Sequence, residues 1–290
     1  MINLLSSFYL SATIFHRSLL CREWSTDTSG TGLASFHLIS SGGAFLYCDG
    51  YLAEPLSEGD IVIFPHDAPH LISYHSNEEI AYNTNSFISY PIEANIDNST
   101  GLICGYFDFD EDKKHPLIAQ LPSCILVKKL SMNMTLNRIV DCLISEALQG
   151  AEANEIVLAR LSEIFFLTLL RNLLQDENTS LGLFKALQDP KMKKVLQALS
   201  CNISHQWNLS SLADIGGYSR ASFHSHFKRY LQQSPLEYLT HIRLSKAKKL
   251  LRQGMTVSKV SIEVGYLNEN SFAKAYKRHF GYGPGLSRKN

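Results

Sequence analysis

No stretch of this 290-residue sequence approaches the roughly 20 consecutive apolar residues that a membrane-spanning helix needs. Its most apolar run, Ile164-Phe165-Phe166-Leu167, is followed after a threonine only by Leu169 and Leu170. The N-terminus, Met1 to Leu10, lacks the basic leader and the small-residue cleavage site of a secretory signal, so neither export nor a membrane is expected. Six cysteines, at 21, 48, 104, 124, 142 and 201, include no CxxC pair and no zinc-like spacing. That usage fits reduced thiols, mostly core, in a cytoplasm. Acid is nearly missing from one region: residues 191–290 hold 17 Lys and Arg against only Asp214, Glu237, Glu263 and Glu269, a formal charge of +13. The net charge of the whole chain is zero, so the rest carries −13. Such asymmetry points to a polyanion-binding half joined to a half that avoids polyanions, with a merely solvated basic face as the alternative.

The chain is long enough for two ordinary domains, and 45% apolar residues can supply each with a core. From Gly32 to about Leu126, short alternating runs such as Ala34-Ser35-Phe36-His37-Leu38-Ile39 and Ile61-Val62-Ile63-Phe64 are separated by Gly, Pro, Asp and Asn. This pattern predicts a compact antiparallel barrel or sandwich. From Met132 the period changes: Ile139, Leu143, Ile144 and Leu148 form one helical set, and Ile156, Leu161, Ile164, Phe165 and Leu169 form another after a break at Gly150. Gln175 to Ser180 reads as a polar linker, and Asp189-Pro190 as an N-cap with proline at the first helical position. The expected fold class is therefore α+β, divided at 1–126 (a barrel), 127–180 (a helical segment and linker) and 183–290 (an all-α basic domain).

The basic half repeats itself. Ser222-Phe223-His224-Ser225-His226-Phe227-Lys228-Arg229 aligns with Ser271-Phe272-Ala273-Lys274-Ala275-Tyr276-Lys277-Arg278 at an offset of 49 residues, and Pro235 and Pro284 keep that offset. Upstream, Leu212 to Tyr218 matches Val260 to Tyr266. In each copy a short amphipathic helix ends at a glycine, and a second helix begins with two aromatic residues four apart that face inward. That is helix-turn-helix architecture, twice.

Through these motifs the last hundred residues resemble the AraC/XylS regulators. Trp207-x-Leu209-x-x-Leu212-Ala213 and Tyr218-Ser219-Arg220-Ala221-Ser222-Phe223 carry the first unit. Ser234-Pro235-Leu236-Glu237-Tyr238-Leu239 with Arg243-Leu244-x-x-Ala247 carries the connecting helix, and Val264-Gly265-Tyr266 with Gly281-x-Gly283-Pro284 the second unit. Val260-Ser261 stands where the family usually has Ile-Ala, and Gly285 to Arg288 lacks the family's Tyr before its Arg; both departures concern packing. The resemblance implies a transcriptional regulator whose recognition helices enter two successive major grooves, about 34 Å apart. It assigns base reading to Arg220, Ala221, His224 and Ser225, and to Glu269, Asn270 and Lys274. Asn pairs with adenine, Glu accepts from cytosine, and Lys reaches guanine or phosphate. Lys228, Arg229, Lys277 and Arg278 are the phosphate clamps. Double-stranded promoter DNA is the implied partner, with RNA polymerase added if the protein activates.

Gly59-Asp60-Ile61-Val62-Ile63-Phe64-Pro65-His66-Asp67-Ala68-Pro69-His70 resembles the signature of cupin barrels, over about Leu10 to Pro122. Only His37, His66 and His70 are candidates for a cupin metal set, which is incomplete, so they are read as candidate ligand-pocket residues; no metal, cofactor or catalytic residue is expected. A cupin metal enzyme with a basic appendage is the competing reading, and a non-selective architectural DNA binder is another. Cys21 and Cys104 are candidate redox residues, which require a depressed pKa and access. The effector is thus a small molecule, an oxidant, or none. The apolar surface formed by Ile156, Leu161, Ile164, Phe165, Phe166, Leu169 and Leu170 is wider than packing on a small barrel requires, which predicts a homodimer through Met132 to Leu174.

Overall fold

The computed structural model describes residues 9–21, 23–84, 88–94, 96–109, 115–175 and 182–288. The two ends of the expected linker part company: Gln175 is the last residue of a helix, and 176–180 lie outside the described residues, as do 1–8. The chain folds as two compact units. One joins Leu10–Asp108 to Leu121–Leu170; the other contains the chain from Arg171 onward together with the segment that includes Phe109 and 115–120.

The first unit is a double antiparallel sheet, the closure that alternating apolar strands adopt to bury one face each. Its strands are β1 (Ser11–Cys21), β2 (Ser25–Thr26), β3 (Ala34–Ser41), β4 (Gly43–Cys48), β5 (Tyr51–Ser57), β6 (Ile61–Phe64), β7 (His70–Ser73), β8 (Ile88–Pro91), β9 (Ser99–Asp108) and β10 (Ile125–Val127). Six form one sheet in the order β10-β6-β3-β9-β1-β8, and four form the other as β2-β7-β4-β5. Leu20, Trp24, Ile39, Leu46, Val62, Phe64 and Ile72 fill the space between them. The Gly59-Asp60 turn into β6 is held by the Asp60 carboxylate, which accepts from Ser57 N at 2.9 Å and from Lys129 N at 2.8 Å.

Strand β1 escapes the sequence pattern. A bulge between Ile14 and His16 shifts its register on β9, so alternation breaks halfway along it, and Phe15 turns outward to stack on Tyr106 at 4.4 Å. A short helix, α1 (Glu78–Asn83), follows β7, capped by Asn77.

Two helices follow the barrel, α2 (Met134–Ala147) and α3 (Glu155–Gln175), separated by the turn at Gly150, and α3 belongs to this unit as far as Leu170. The buried stripe of α2 is Leu136, Val140, Leu143 and Ala147, one step round from the expected set; Leu148 is exposed. On α3, Leu158, Phe165, Phe166, Leu169 and Leu170 are buried, and Phe166 packs on Phe107 of β9 at 4.7 Å. Phe165, Phe166, Leu169 and Leu170 therefore are not an outward pairing surface. The large apolar residues of α3 that do face out, among the described residues, are Ile156, Val157 and Ile164.

The second unit is all helical: α4 (Gly182–Gln188), α5 (Pro190–Cys201), α6 (Leu209–Gly216), α7 (Arg220–Leu231), α8 (Pro235–Arg252), α9 (Val257–Glu263), α10 (Glu269–Phe280) and α11 (Pro284–Ser287). Asp189 caps α5, accepting from Lys191 N and Met192 N, and Pro190 opens the helix as expected. Gln120 Oε1 accepts the Leu183 N–H at 2.6 Å, which fastens the 115–120 segment to the start of α4. The fold class is α+β: a sheet-rich N-terminal half and a helical C-terminal half.

Candidate nucleic-acid interface

Each half of the repeat builds the same device. Helix α6 begins at an Asn208 capping box and ends at Gly217, whose φ of 64° carries the chain into the turn. Ser219 then caps α7. In the second copy Thr256 caps α9, Gly265 makes the turn at φ 86°, and Asn268 caps α10 by accepting from Ser271 N. The aromatic pairs match as the offset of 49 predicts: Phe223 and Phe227 lie 5.6 Å apart, Phe272 and Tyr276 also 5.6 Å, all four fully buried. Where the tail lacks the family's tyrosine, Ser287 Oγ meets the Tyr276 hydroxyl at 2.6 Å.

Helical geometry then dictates what faces out. Arg220, Ala221, His224, Ser225, Lys228 and Arg229 on α7 are all exposed, and so are Glu269, Asn270, Lys274, Lys277 and Arg278 on α10. Residues named for base reading lie in the first half of each helix. Those named as phosphate clamps lie in the last turn, where their charge also offsets the helix dipole. His226 is set apart: its Nδ1 bonds the Ser222 carbonyl at 2.8 Å, so it serves the helix.

What holds the two devices together went unread in the sequence. Arg243, midway along α8, donates from Nε to the Ile203 carbonyl (2.8 Å) and from Nη2 to the His205 carbonyl (2.7 Å), both in the loop before α6. Its guanidinium also lies 5.8 Å from the centre of the Tyr266 ring in the second copy. Gln206 of the same loop donates to the Gly265 carbonyl at 2.8 Å. A side chain at Gly265 would put its Cβ 2.5 Å from the Ser204 carbonyl oxygen, so this position excludes anything larger. The only cue was the Arg243-Leu244-x-x-Ala247 motif, which carries no partner information. Lys191, 5.2 Å from the Tyr218 ring centre, and Lys248, buried under the Phe280 ring at 4.8 Å, are further basic residues the sequence did not separate from the general charge.

In the barrel unit the structure brings His37 and His70 together but not His66. The Nε2 atoms of His37 and His70 lie 3.2 Å apart, and Thr28 Oγ1 is 3.1 Å from the first and 3.0 Å from the second. His37 Nδ1 faces Cys104 Sγ at 3.0 Å, and His70 Nδ1 donates to the Ala68 carbonyl at 2.8 Å. One all-neutral proton arrangement satisfies every contact: Cys104 S–H to His37, His37 N–H to Thr28, Thr28 O–H to His70, His70 N–H to Ala68. Burial pushes His37 well below the ordinary histidine value and lowers His70 too; the same burial pushes the Cys104 thiol up. His66 is exposed and donates to the Leu121 carbonyl at 2.9 Å. Among the described residues no group of three or more His, Cys, Asp or Glu is arranged to hold a metal ion.

Cys21 and Cys104 are both buried and are not brought together. On the β1–β9 ladder Cys21 faces Ser99, five positions from Cys104, which is about 16 Å at the usual strand rise and far beyond disulfide reach.

Two comparisons bear on this architecture. Residues 2–175 match the family model described as Cupin, and residues 212–290 the one described as Helix-turn-helix domain. Over 275 residues the chain is 28% identical to an uncharacterized HTH-type transcriptional regulator of Haemophilus influenzae, covering 92% of this chain and 91% of that protein. It is 28% identical over 262 residues to the HTH-type transcriptional regulator MtrA of Neisseria gonorrhoeae, covering 87% and 85%. To a putative AraC-like transcription regulator of Streptomyces lividans it is 27% identical over 278 residues, covering 92% and 90%.

Two outcomes follow from the geometry. Arg243→Ala leaves the part-buried Ile203 carbonyl and the exposed His205 carbonyl without their charged donor and should cost the helical unit about 1–2 kcal/mol. Urea unfolding followed by Trp207 fluorescence measures it, and an unchanged midpoint would contradict the clamp. In the barrel unit, His37 and His70 bind fewer protons folded than unfolded once pH drops below the ordinary value of 6.5. Its stability should therefore be fully present above that pH and fall as pH is lowered toward the depressed folded values. Thermal melting of the Trp24 signal between pH 7.5 and 5.5 should show this decline, and His37→Gln should flatten it.

Proposed function

We propose, from the premise that this chain belongs to the AraC-type helix-turn-helix regulators with a cupin N-terminal domain, that it reads two successive major-groove segments through α7 and α10 together. The protein is a DNA-binding transcriptional regulator and not an enzyme. In this reading Arg220, Ala221, His224 and Ser225 contact bases in one groove segment, and Glu269, Asn270 and Lys274 in the next. Lys228, Arg229, Lys277 and Arg278 grip phosphates and set the register. The observation that carries it is the matched outward face of the two helices: eleven named residues, all exposed, behind which two equivalently placed aromatic pairs are buried. Regulation enters through the cupin half, which we take to sense a small molecule or an oxidant and to pair the protein on promoter DNA, with RNA polymerase as the further partner if it activates.

Pairing is assigned to α3. Val157 and Ile164 lie two turns apart on one face with Ile156 beside them, and the three are exposed at 41, 49 and 70%.

Asn270→Ala and Lys274→Ala should each relax base preference at particular positions of a selected site, by about 1–3 kcal/mol of discrimination. Lys277→Ala should instead weaken all sequences alike and flatten the salt dependence. Binding-site selection with each variant separates the two classes, and preserved selectivity in both Asn270→Ala and Lys274→Ala would contradict the assignment. Val157→Glu and Ile164→Glu should each turn a dimer into a monomer in sedimentation without lowering the melting temperature. A monomeric wild type at micromolar concentration would contradict pairing, and a dimer untouched by both changes would contradict this face.

A further inference from the structure

The C-terminal end of α7 opens onto a groove that neither base reading nor the barrel accounts for. Its walls come from three separated stretches of chain: the end of the 115–120 segment, the start of α4 and the last turn of α7. It holds about 610 Å³, within the range of roughly 300–1,000 Å³ that suits a small molecule. The three stretches meet tightly. Gln120 Oε1 accepts the Leu183 N–H at 2.6 Å, and a side chain at Gly182 would collide with the Tyr230 carbonyl. The groove is therefore built by tertiary packing, and all of it lies inside the second unit.

Its charge has one sign. Lys185 and Arg229 bring two cations, the Arg229 guanidinium lying 5.3 Å from the centre of the Tyr230 ring, and no carboxylate is among the described residues that line the groove. Asp189, which takes the Tyr230 hydroxyl at 3.3 Å, is not one of its walls. Two primary amides, Gln120 and Gln232, complete the polar lining. The bond to Leu183 orients the Gln120 amide, committing Oε1 as the acceptor and leaving Nε2 as a donor. That Nε2 is buried and has no acceptor among the described residues. Buried donors without acceptors are costly and uncommon, so this one marks where an acceptor from outside the chain belongs. Gln232 is retained against a backbone preference. It closes α7 in the left-handed region at φ 57°, where the second copy, 49 residues on, has Gly281 at φ 84°.

We propose that this groove binds a small phosphorylated metabolite by its phosphate monoester, and that the bound ligand takes Arg229 away from DNA. At neutral pH a phosphate monoester carries close to two negative charges and three acceptor oxygens. Two cations and an unmet amide donor, supplied by three stretches of chain, match that group better than the two coplanar oxygens of a carboxylate. The site itself goes beyond the DNA-reading assignment; only the competition rests on that reading, in which Arg229 grips a DNA phosphate. Occupancy lowers DNA affinity, and DNA weakens the ligand by the same factor.

The test begins with calorimetric titration of the full-length protein with inorganic phosphate, without DNA and at constant ionic strength. One saturable site per chain is expected, with succinate binding more weakly. Gln120→Glu keeps an acceptor for the Leu183 N–H but puts a carboxylate oxygen where the unmet donor stood. Its melting temperature should hold while phosphate affinity falls roughly tenfold. Lys185→Ala should also lower that affinity, whereas Lys193→Ala, exposed on α5 and outside the groove, should not change it. Fluorescence anisotropy on a selected DNA site reads the competition: saturating phosphate should weaken DNA binding by the wild type and have no such effect on Gln120→Glu. A phosphate site untouched by both Gln120→Glu and Lys185→Ala, or tighter binding of succinate, would overturn the proposal. Absence of a saturable site would do the same, and a DNA affinity already lowered in Gln120→Glu would then assign the groove to a backbone phosphate of the DNA. Phosphate binding that leaves DNA affinity unchanged overturns the competition. If Arg229→Ala also leaves DNA affinity unchanged, the fault lies with the clamp assignment, and the calorimetry still decides the site.

Discussion

The proposed double DNA reader depends on one constraint, a fixed distance and angle between two recognition helices. Successive major grooves on one face of a duplex are about 34 Å apart, and two helices on a loose tether would pay an entropic cost each time they bound together. Helix α8, 18 residues long, is a rod of about 27 Å. A rod alone does not fix rotation at its ends. Arg243 does, because one planar guanidinium bonds two carbonyls ahead of the first unit while lying against Tyr266 of the second. Gln206 closes the same junction from the other side through the Gly265 carbonyl, and the absence of a side chain at Gly265 lets the loop come that near.

With that geometry set, charge does the rest of the division of labour. The helical unit is strongly basic and puts its cations in the last turns of α7 and α10, where they suit phosphate contact and the helix dipole alike. The acidic remainder belongs largely to the barrel, which would repel the same polyanion. Inside that barrel the chemistry is the reverse: the Thr28, His37, His70 and Cys104 network is neutral, hydrogen-bonded throughout, and buried among apolar strands. Such a network is tolerated only because each polar atom has a partner, and the burial of its two histidines makes the barrel sensitive to protonation.

The repeat was legible because it is local. The offset of 49 residues, the aromatic pairs, the ends of α8 and the Asp189 cap all follow from spacing within one or two turns. Long-range partners were not legible. Arg243 looks like any helical arginine until Ile203 and His205 arrive from 40 and 38 residues away. Strand β1 was hidden by its bulge, which breaks the period of two on which strand reading relies. The cysteines show the limit most plainly: Cys21 and Cys104 sit beside recognisable motifs yet are separated along one ladder. The wide apolar face of α3 was overread for the same reason, since Phe107, which covers Phe166, lies 59 residues away in sequence.

Hydroxyl-radical footprinting of the full-length protein on a selected DNA site tests the central claim most directly. Simultaneous reading by α7 and α10 predicts two windows of protection on one face of the duplex, centred about one helical turn, roughly 10 base pairs, apart, that appear at the same protein concentration. A single window, or two that fill at different concentrations, would contradict the account of α8 and Arg243 as a rigid coupling.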